Sequence, residues 1–159
     1  MTRPWRRWRA AAGRGAFAAL ARSRRASTAV EFALCALAMV TIVVGTIEFA
    51  RLIWTFEVLQ SVASQAVRCM GLRASSCATG TGAYSSANTT GYVVSLAQSW
   101  GVVIATSTVT LNNAATCAGV GGFSQVAITY NFITVAPELL PSLGSGFTVP
   151  VSACFPNNT

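Results

Sequence analysis

The chain has 159 residues, of which 53% are hydrophobic and only 9% are charged, whereas soluble domains typically carry about 25% charged residues. Its length suits one domain plus an anchor. Lysine, aspartate and histidine are absent from the sequence, and four glutamates are its only acids. Because the usual general bases and metal ligands are missing, we expect neither catalysis nor a metal ion, cofactor or small-molecule substrate.

Positive charge is concentrated at the N-terminus. Eight of the eleven arginines precede Ala26, and no acid lies among them. A nucleic-acid-binding domain spreads its basic residues over a folded face, whereas this basic tail ends at an apolar run. An arginine-rich arm for DNA or RNA is the alternative. The pattern favours a basic cytoplasmic leader over residues 1–26, without a nucleic-acid partner.

The apolar run at residues 32–47 contains no charged side chain. Sixteen helical residues rise about 24 Å, somewhat less than a hydrocarbon core of about 30 Å. The segment can therefore span a bilayer if Glu31 and Glu48 lie near its two boundaries. Trp54 and Phe56 then fall where an aromatic belt is expected. The positive-inside rule predicts a single membrane pass, with a cytoplasmic N-terminus and an exported C-terminal head.

Three interpretations of this segment compete. A secretory signal peptide is disfavoured, because the basic region is long and no small-residue cleavage site follows the apolar run. A plain signal anchor is the second, and a prepilin-type leader, cut between Ala26 and Ser27 so that the helix is kept, is the third. After such a cut, the new amino group of Ser27 could pair with Glu31, a carboxylate that is costly at this depth. Alternatively, Glu31 simply lies in the headgroup region.

Several short motifs flank the apolar run and end the helical pattern that follows it. They are Glu31-Phe32-Ala33, Glu48, Arg51 and Ala66-Val67-Arg68. With them, residues 24–68 resemble the TadE-like family, the minor pilin-like proteins of tight-adherence (type IVb) pilus systems. The C-terminal stretches at residues 126–132 and 147–156 are also similar in style to the closing strands of such proteins.

The resemblance implies processing by a prepilin peptidase at Ala26 and Ser27. It further implies assembly through Glu31 and Phe32 with other pilin-like subunits and a pilus assembly platform. The residue before the expected cut is Ala26, where the family usually has Gly.

Beyond the apolar run, hydrophobic residues recur at steps of three and four, which predicts one helical stripe. We assign to it Phe49, Leu52, Ile53, Phe56, Leu59, Ala63, Val67 and Met70. The predicted transmembrane and amphipathic helix covers residues 27–70, with Gly71 as its stop, and the stripe should pack on the head's sheet. Glu48 and Arg51 are three residues apart, so they can pair at the helix boundary and set its depth.

The rest of the chain predicts a linker loop over residues 71–90 and an α+β head over residues 91–159. A short helix is expected at 91–100, capped by Thr89 or Thr90. Strands are expected at 102–111, 125–134 and 147–155, with a glycine-rich turn between the first two at residues 119–122. Pro150 lacks an amide donor, so the last strand should be an edge strand. The fold class is thus a long transmembrane helix continuing into a small antiparallel-sheet head.

Five cysteines divide into one in the apolar run and four on the exported side. Cys35 is expected to be a small buried residue. Four exported cysteines allow three disulfide connectivities, and we favour the pairs Cys69–Cys77 and Cys117–Cys154. A zinc site and free redox thiols are the alternatives, although no close pair of cysteines and no histidine support zinc.

These features together predict a pilin-like (pseudopilin) structural component of a tight-adherence pilus or a related secretion assembly. The alternative is an unprocessed, membrane-tethered periplasmic module for binding or adhesion, which would need neither the cut nor Glu31.

Overall fold

The computed structural model describes residues 24–135 and 146–157, with side chains from Ser27 onward. Its elements are helix α1 (Arg24–Gly71), helix α2 (Ser86–Ser99) and the strands β1 (Val109–Cys117), β2 (Val120–Phe132) and β3 (Phe147–Pro156). The strands form one antiparallel sheet in the order β1-β2-β3. This arrangement confirms the predicted α+β class. The chain divides into two compact units, with the boundary between Val44 and Gly45.

The first unit contains the apolar beginning of α1. From Ser27 to Val44 its side chains are exposed or, at Ala36 and Val44, half-buried. Among the described residues, one helix, Ser27–Gly71, is long and apolar enough to cross a membrane, judged by length and composition. Cys35 is exposed and unpaired, so its predicted burial is wrong, because within the described part of this unit the side chains of a single helix have no packed neighbour.

In the second unit, α1 packs one face against the sheet and α2. Its fully buried residues include Leu59, Val62, Ala66 and Met70, and they join the core of β2 and β3. The predicted stripe is right for Leu59, Ala63, Val67 and Met70 and wrong for Phe49, Ile53 and Phe56, which are exposed. Because α1 is apolar on almost every side before Leu59, periodicity could not choose the buried face there.

Helix α2 begins at Ser86, five residues before the predicted start. The cap is Ser85, whose Oγ accepts a hydrogen bond from the Asn88 backbone N–H at 3.3 Å. Thr89, predicted as a possible cap, is instead buried in the first turn, and its hydroxyl donates to the Ser85 carbonyl at 2.8 Å. Ser85 suits this position because a hydroxyl satisfies an amide that has no partner within the helix. The predicted linker is correspondingly shorter.

Strand β1 starts later than predicted. Val102 and Ile104 are buried, which is why their alternation resembles a strand, but residues 102–105 pair with no strand and lead into a 3₁₀ turn at Thr106–Thr108. The register places Val109 opposite Ile128. After Ile128, β2 pairs with β3 alone. The pairing of β1 with β2 therefore begins only at Val109.

The two hairpin strands meet in a tight turn at Ala118 and Gly119, whose φ angles are 51° and 81°. Positive φ at both central residues is the requirement of a two-residue type I′ hairpin loop. Gly121 and Gly122, predicted in the turn, lie in β2 instead. The alternation of apolar residues in β2 points Val126 and Ile128 toward the core, where both are fully buried. β3 is an edge strand, as Pro150 predicted.

Candidate functional site

The beginning of α1 carries the predicted processing and assembly residues. The Ser27 hydroxyl donates a hydrogen bond to Glu31 Oε1 at 3.2 Å, one helical turn away, and both side chains are exposed. The bond between Ala26 and Ser27 lies within the helix, which starts at Arg24; the Ala26 side chain lies outside the described part. A carboxylate that reaches the Ser27 side chain can also reach an amino group created on Ser27 by cleavage.

Phe32 follows Glu31 and is 75% exposed on the helix surface. The charge-free run behind it presents further large apolar side chains, among them Leu34, Leu37 and Met39. An exposed aromatic ring beside an exposed carboxylate offers contacts for lipid or another helix.

Glu48 and Arg51 form an ion pair on α1, as the sequence predicted. Arg51 Nη1 donates to Glu48 Oε1 at 2.8 Å. The Glu48 side chain is almost fully buried, whereas that of Arg51 is 45% exposed. The Arg51 guanidinium also lies 5.4 Å from the centroid of the Phe132 ring, within the range of a cation–π interaction. The pair therefore connects α1 to the end of β2.

The burial of Glu48 comes from the chain that follows β2. Burial raises the pKa of the Glu48 carboxyl, but the Thr134 hydroxyl, the Arg51 guanidinium and the Val135 backbone N–H together hold that pKa below its ordinary value. No donor among the described residues reaches Oε2 with hydrogen-bond geometry, and within the described part of the chain Arg51 is the cation that pairs with this carboxylate. A buried carboxylate needs such partners, because leaving the charge unpaired in the interior is costly. The sequence showed the pairing with Arg51 but carried no signal for the contact with residues 132–135.

The four cysteines of the second unit form two disulfide bonds, Cys69–Cys77 and Cys117–Cys154. These are the pairs that the sequence analysis favoured. The first ties the end of α1 to the loop that follows it, and the second ties the β1–β2 turn to β3. Within residues 24–135 and 146–157 there is no group of three or more His, Cys, Asp or Glu side chains placed to hold a metal ion.

Comparison with known families locates a match on the long helix. Residues 26–68 match the TadE-like protein family. The match confirms the resemblance drawn from the sequence motifs. No curated protein and no solved structure matches the chain significantly.

The TadE-like segment contains both charged sites of α1, the Ser27–Glu31 contact and the Glu48–Arg51 pair. It stops one residue before Cys69, so both disulfides and the whole sheet lie outside the match. The TadE-like residues thus form most of α1, and the structure shows that the sheet and α2 cover the second half of this helix.

Proposed function

We propose that this chain is a pilin-like structural component of a tight-adherence pilus or a related secretion assembly, and not an enzyme. The observation that carries the proposal is the TadE-like match over residues 26–68, which includes Glu31 within hydrogen-bonding distance of Ser27. A helix of sufficient length and hydropathy to cross a membrane supports the same role.

In this proposal the basic leader, residues 1–26, stays in the cytoplasm of a bacterial cell, because positively charged flanks are retained there. A prepilin peptidase cuts between Ala26 and Ser27, and the apolar helix remains in the inner membrane. The new Ser27 amino group is a cation beside Glu31 of its own or a neighbouring chain. Pairing removes an uncompensated charge from an apolar environment, so it favours association of subunits in a defined register.

The head then lies in the periplasm, where its two disulfides persist. Phe32 and the exposed apolar side chains that follow it contact other pilin-like subunits or the assembly platform. The proposed role is mechanical and structural: the helix holds the subunit in the assembly, and the disulfide-bonded head presents its surface outside the membrane.

The N-terminal sequence and intact mass of the protein purified from its native membrane test this proposal. We expect a start at Ser27 with the whole apolar helix retained. A start at Met1 or Thr2 would favour the alternative, an unprocessed tether for a binding or adhesion module. Ala26 favours that alternative, because the family usually has Gly at this position. A start beyond Ile47 would mean an exported soluble head.

Substitution of Glu31 separates assembly from insertion. We expect Glu31→Ala to leave the protein in the membrane and to reduce its co-purification with other pilus subunits about tenfold, equivalent to the loss of about 1.4 kcal/mol. Glu57→Gln is the matched control, because Glu57 is exposed on the same helix within the second unit. Equal co-purification of the two variants would show that Glu31 has no part in assembly.

A further inference from the structure

The second unit exposes several large apolar side chains at one end. Fractional exposure is 63% for Phe49, 57% for Trp54, 49% for Trp100, 74% for Val103, 65% for Ile133 and 49% for Phe147. We call these six residues the base patch. They come from α1, the segment after α2, the segment after β2 and the start of β3. Large apolar surfaces of this kind mark contacts with a protein or a membrane.

Shallow cavities place four members of the base patch, Trp54, Trp100, Ile133 and Phe147, around α1. One cavity of about 530 Å³ is bordered by Ile47 and Trp54 of α1 and by Gly101 and Ile133 of the head. A smaller one joins Trp54 to Trp100. A third lies between Ile53 of α1 and Phe147. Three segments of the head therefore meet α1 between Ile47 and Ser61.

The cavities lie on different sides of α1. One is lined by Leu52 and Phe56, and another by Trp54 and Val58. Residues two apart on an α-helix point in nearly opposite directions, because each residue turns the helix by about 100°. A single folded partner would cover one side of such a surface, whereas a lipid layer crossed by the helix contacts every side that the head leaves open.

The chemistry of the patch matches the headgroup region of a bilayer. Trp54 and Trp100 are the residue type enriched at membrane interfaces, where an apolar ring and a polar N–H both find partners. Arg51, which borders the same cavity as Trp54, is half-exposed, and Glu48 is buried against it. Along the chain, the patch begins immediately after Ile47, the last residue of the charge-free run.

We propose that the base patch rests in the headgroup region of the bilayer that α1 enters, with Trp54 and Trp100 at the lipid interface. The head is then held on the membrane surface by its own side chains as well as by the helix. This inference depends only on membrane insertion. It holds whether or not the leader is cut and whether or not the chain joins a pilus.

Trp100 is the critical probe because it lies on the head and not on α1. The full chain with Trp5, Trp8 and Trp54 replaced by Phe is reconstituted in vesicles of phosphatidylcholine and phosphatidylglycerol, with bromine placed at defined depths in the acyl chains. We expect Trp100 to lose roughly half of its emission to the shallowest bromines and less to deeper ones, as an interfacial indole should. The loss should not change when the protein is diluted in lipid.

The matched control places the only tryptophan at the other end of the sheet. Val120 is 60% exposed at the start of β2, and the thirteen residues of that strand separate it from Phe132 by about 40 Å. Val120→Trp, in a chain whose four native tryptophans are Phe, should show no quenching by brominated lipid. A second variant, Val103→Asp with Ile133→Asp, should return Trp100 emission toward that unquenched level while both disulfides form.

Two results would overturn the proposal. If brominated lipid quenches Trp100 no more than it quenches the tryptophan of the Val120→Trp chain, the head stands away from the bilayer. If neither brominated lipid nor aqueous iodide quenches Trp100 emission, and this protection is lost when the protein is diluted in lipid, a second copy of the chain covers the patch. Neither result would bear on the N-terminal processing that tests the proposed function.

Discussion

The guanidinium of Arg51 lies between Glu48 and Phe132. One of its nitrogens donates to Glu48 Oε1 at 2.8 Å, and its carbon is 5.4 Å from the centroid of the Phe132 ring. Glu48 and Arg51 belong to α1, and Phe132 ends β2. This one side chain therefore compensates a buried charge and connects the long helix to the sheet, close to the point where the helix leaves the apolar run.

Arg51→Ala should destabilise the second unit, because Glu48 would remain buried without its closest cation. Since Arg51 is itself nearly half exposed, we expect a loss of about 2 kcal/mol, below the range for a fully buried pair. Arg51→Lys keeps the charge and should cost less. Urea unfolding of the full chain in detergent micelles measures both. The exposed Glu57→Gln should change stability by less than about 0.5 kcal/mol, and an Arg51→Ala chain as stable as this control would contradict the assigned role.

The two disulfides should contribute unequally. Cys117 and Cys154 are 37 residues apart, whereas Cys69 and Cys77 are 8 apart. In the chain-entropy model, the longer loop stabilises the fold by about 4 kcal/mol and the shorter by about 2.5 kcal/mol. Replacing both cysteines of one pair by serine and comparing the denaturant midpoints checks this order. A larger loss from the Cys69–Cys77 pair would show that native contacts, and not loop closure, dominate.

Gly71→Ala tests the close approach of β3 to the end of α1. A Cβ at Gly71 would lie 2.7 Å from Phe155 Cδ1 and 3.1 Å from the Pro156 carbonyl oxygen. The helix gains at most about 1 kcal/mol from alanine, and overpacking typically costs 1–3 kcal/mol, so we expect a net loss of about 1 kcal/mol. Adding Phe155→Leu should recover part of it. Gly80→Ala, where a Cβ has nothing within 4 Å, should be nearly neutral.

Ala26→Gly addresses the processing site. If a prepilin peptidase cuts after this residue, the glycine that the resemblance implies should raise the mature fraction of the protein in its native cell. A bulky Ala26→Leu should lower it. The mass of the membrane-extracted chain reports both changes. If the original chain and both variants each had the mass of their own full, uncut sequence, the anchor would be one that is never cut.

Local sequence determined much of this protein. The charge-free run and the long helix follow from an uninterrupted apolar composition, and the edge position of β3 follows from Pro150. The alternation of apolar residues at Val126 and Ile128 likewise marks the buried face of β2. Even the two cysteine pairs agree with their positions beside a helix end and a turn. Apart from the cysteine pairs, each of these features depends on neighbouring residues or on one residue's covalent structure, so it can be read from the chain.

Tertiary packing decided the rest. Phe49 and Ile53 are as apolar as Leu59, but only Leu59 meets the sheet, because a helix that is apolar all round does not specify its own buried face. Val102 and Ile104 alternate like a strand without pairing, since the register of β2 brings Val109 first into the ladder. Glu48 is buried because residues 132–135 cover it. Contacts between segments more than eighty residues apart leave no local pattern, and only the folded chain brings them together.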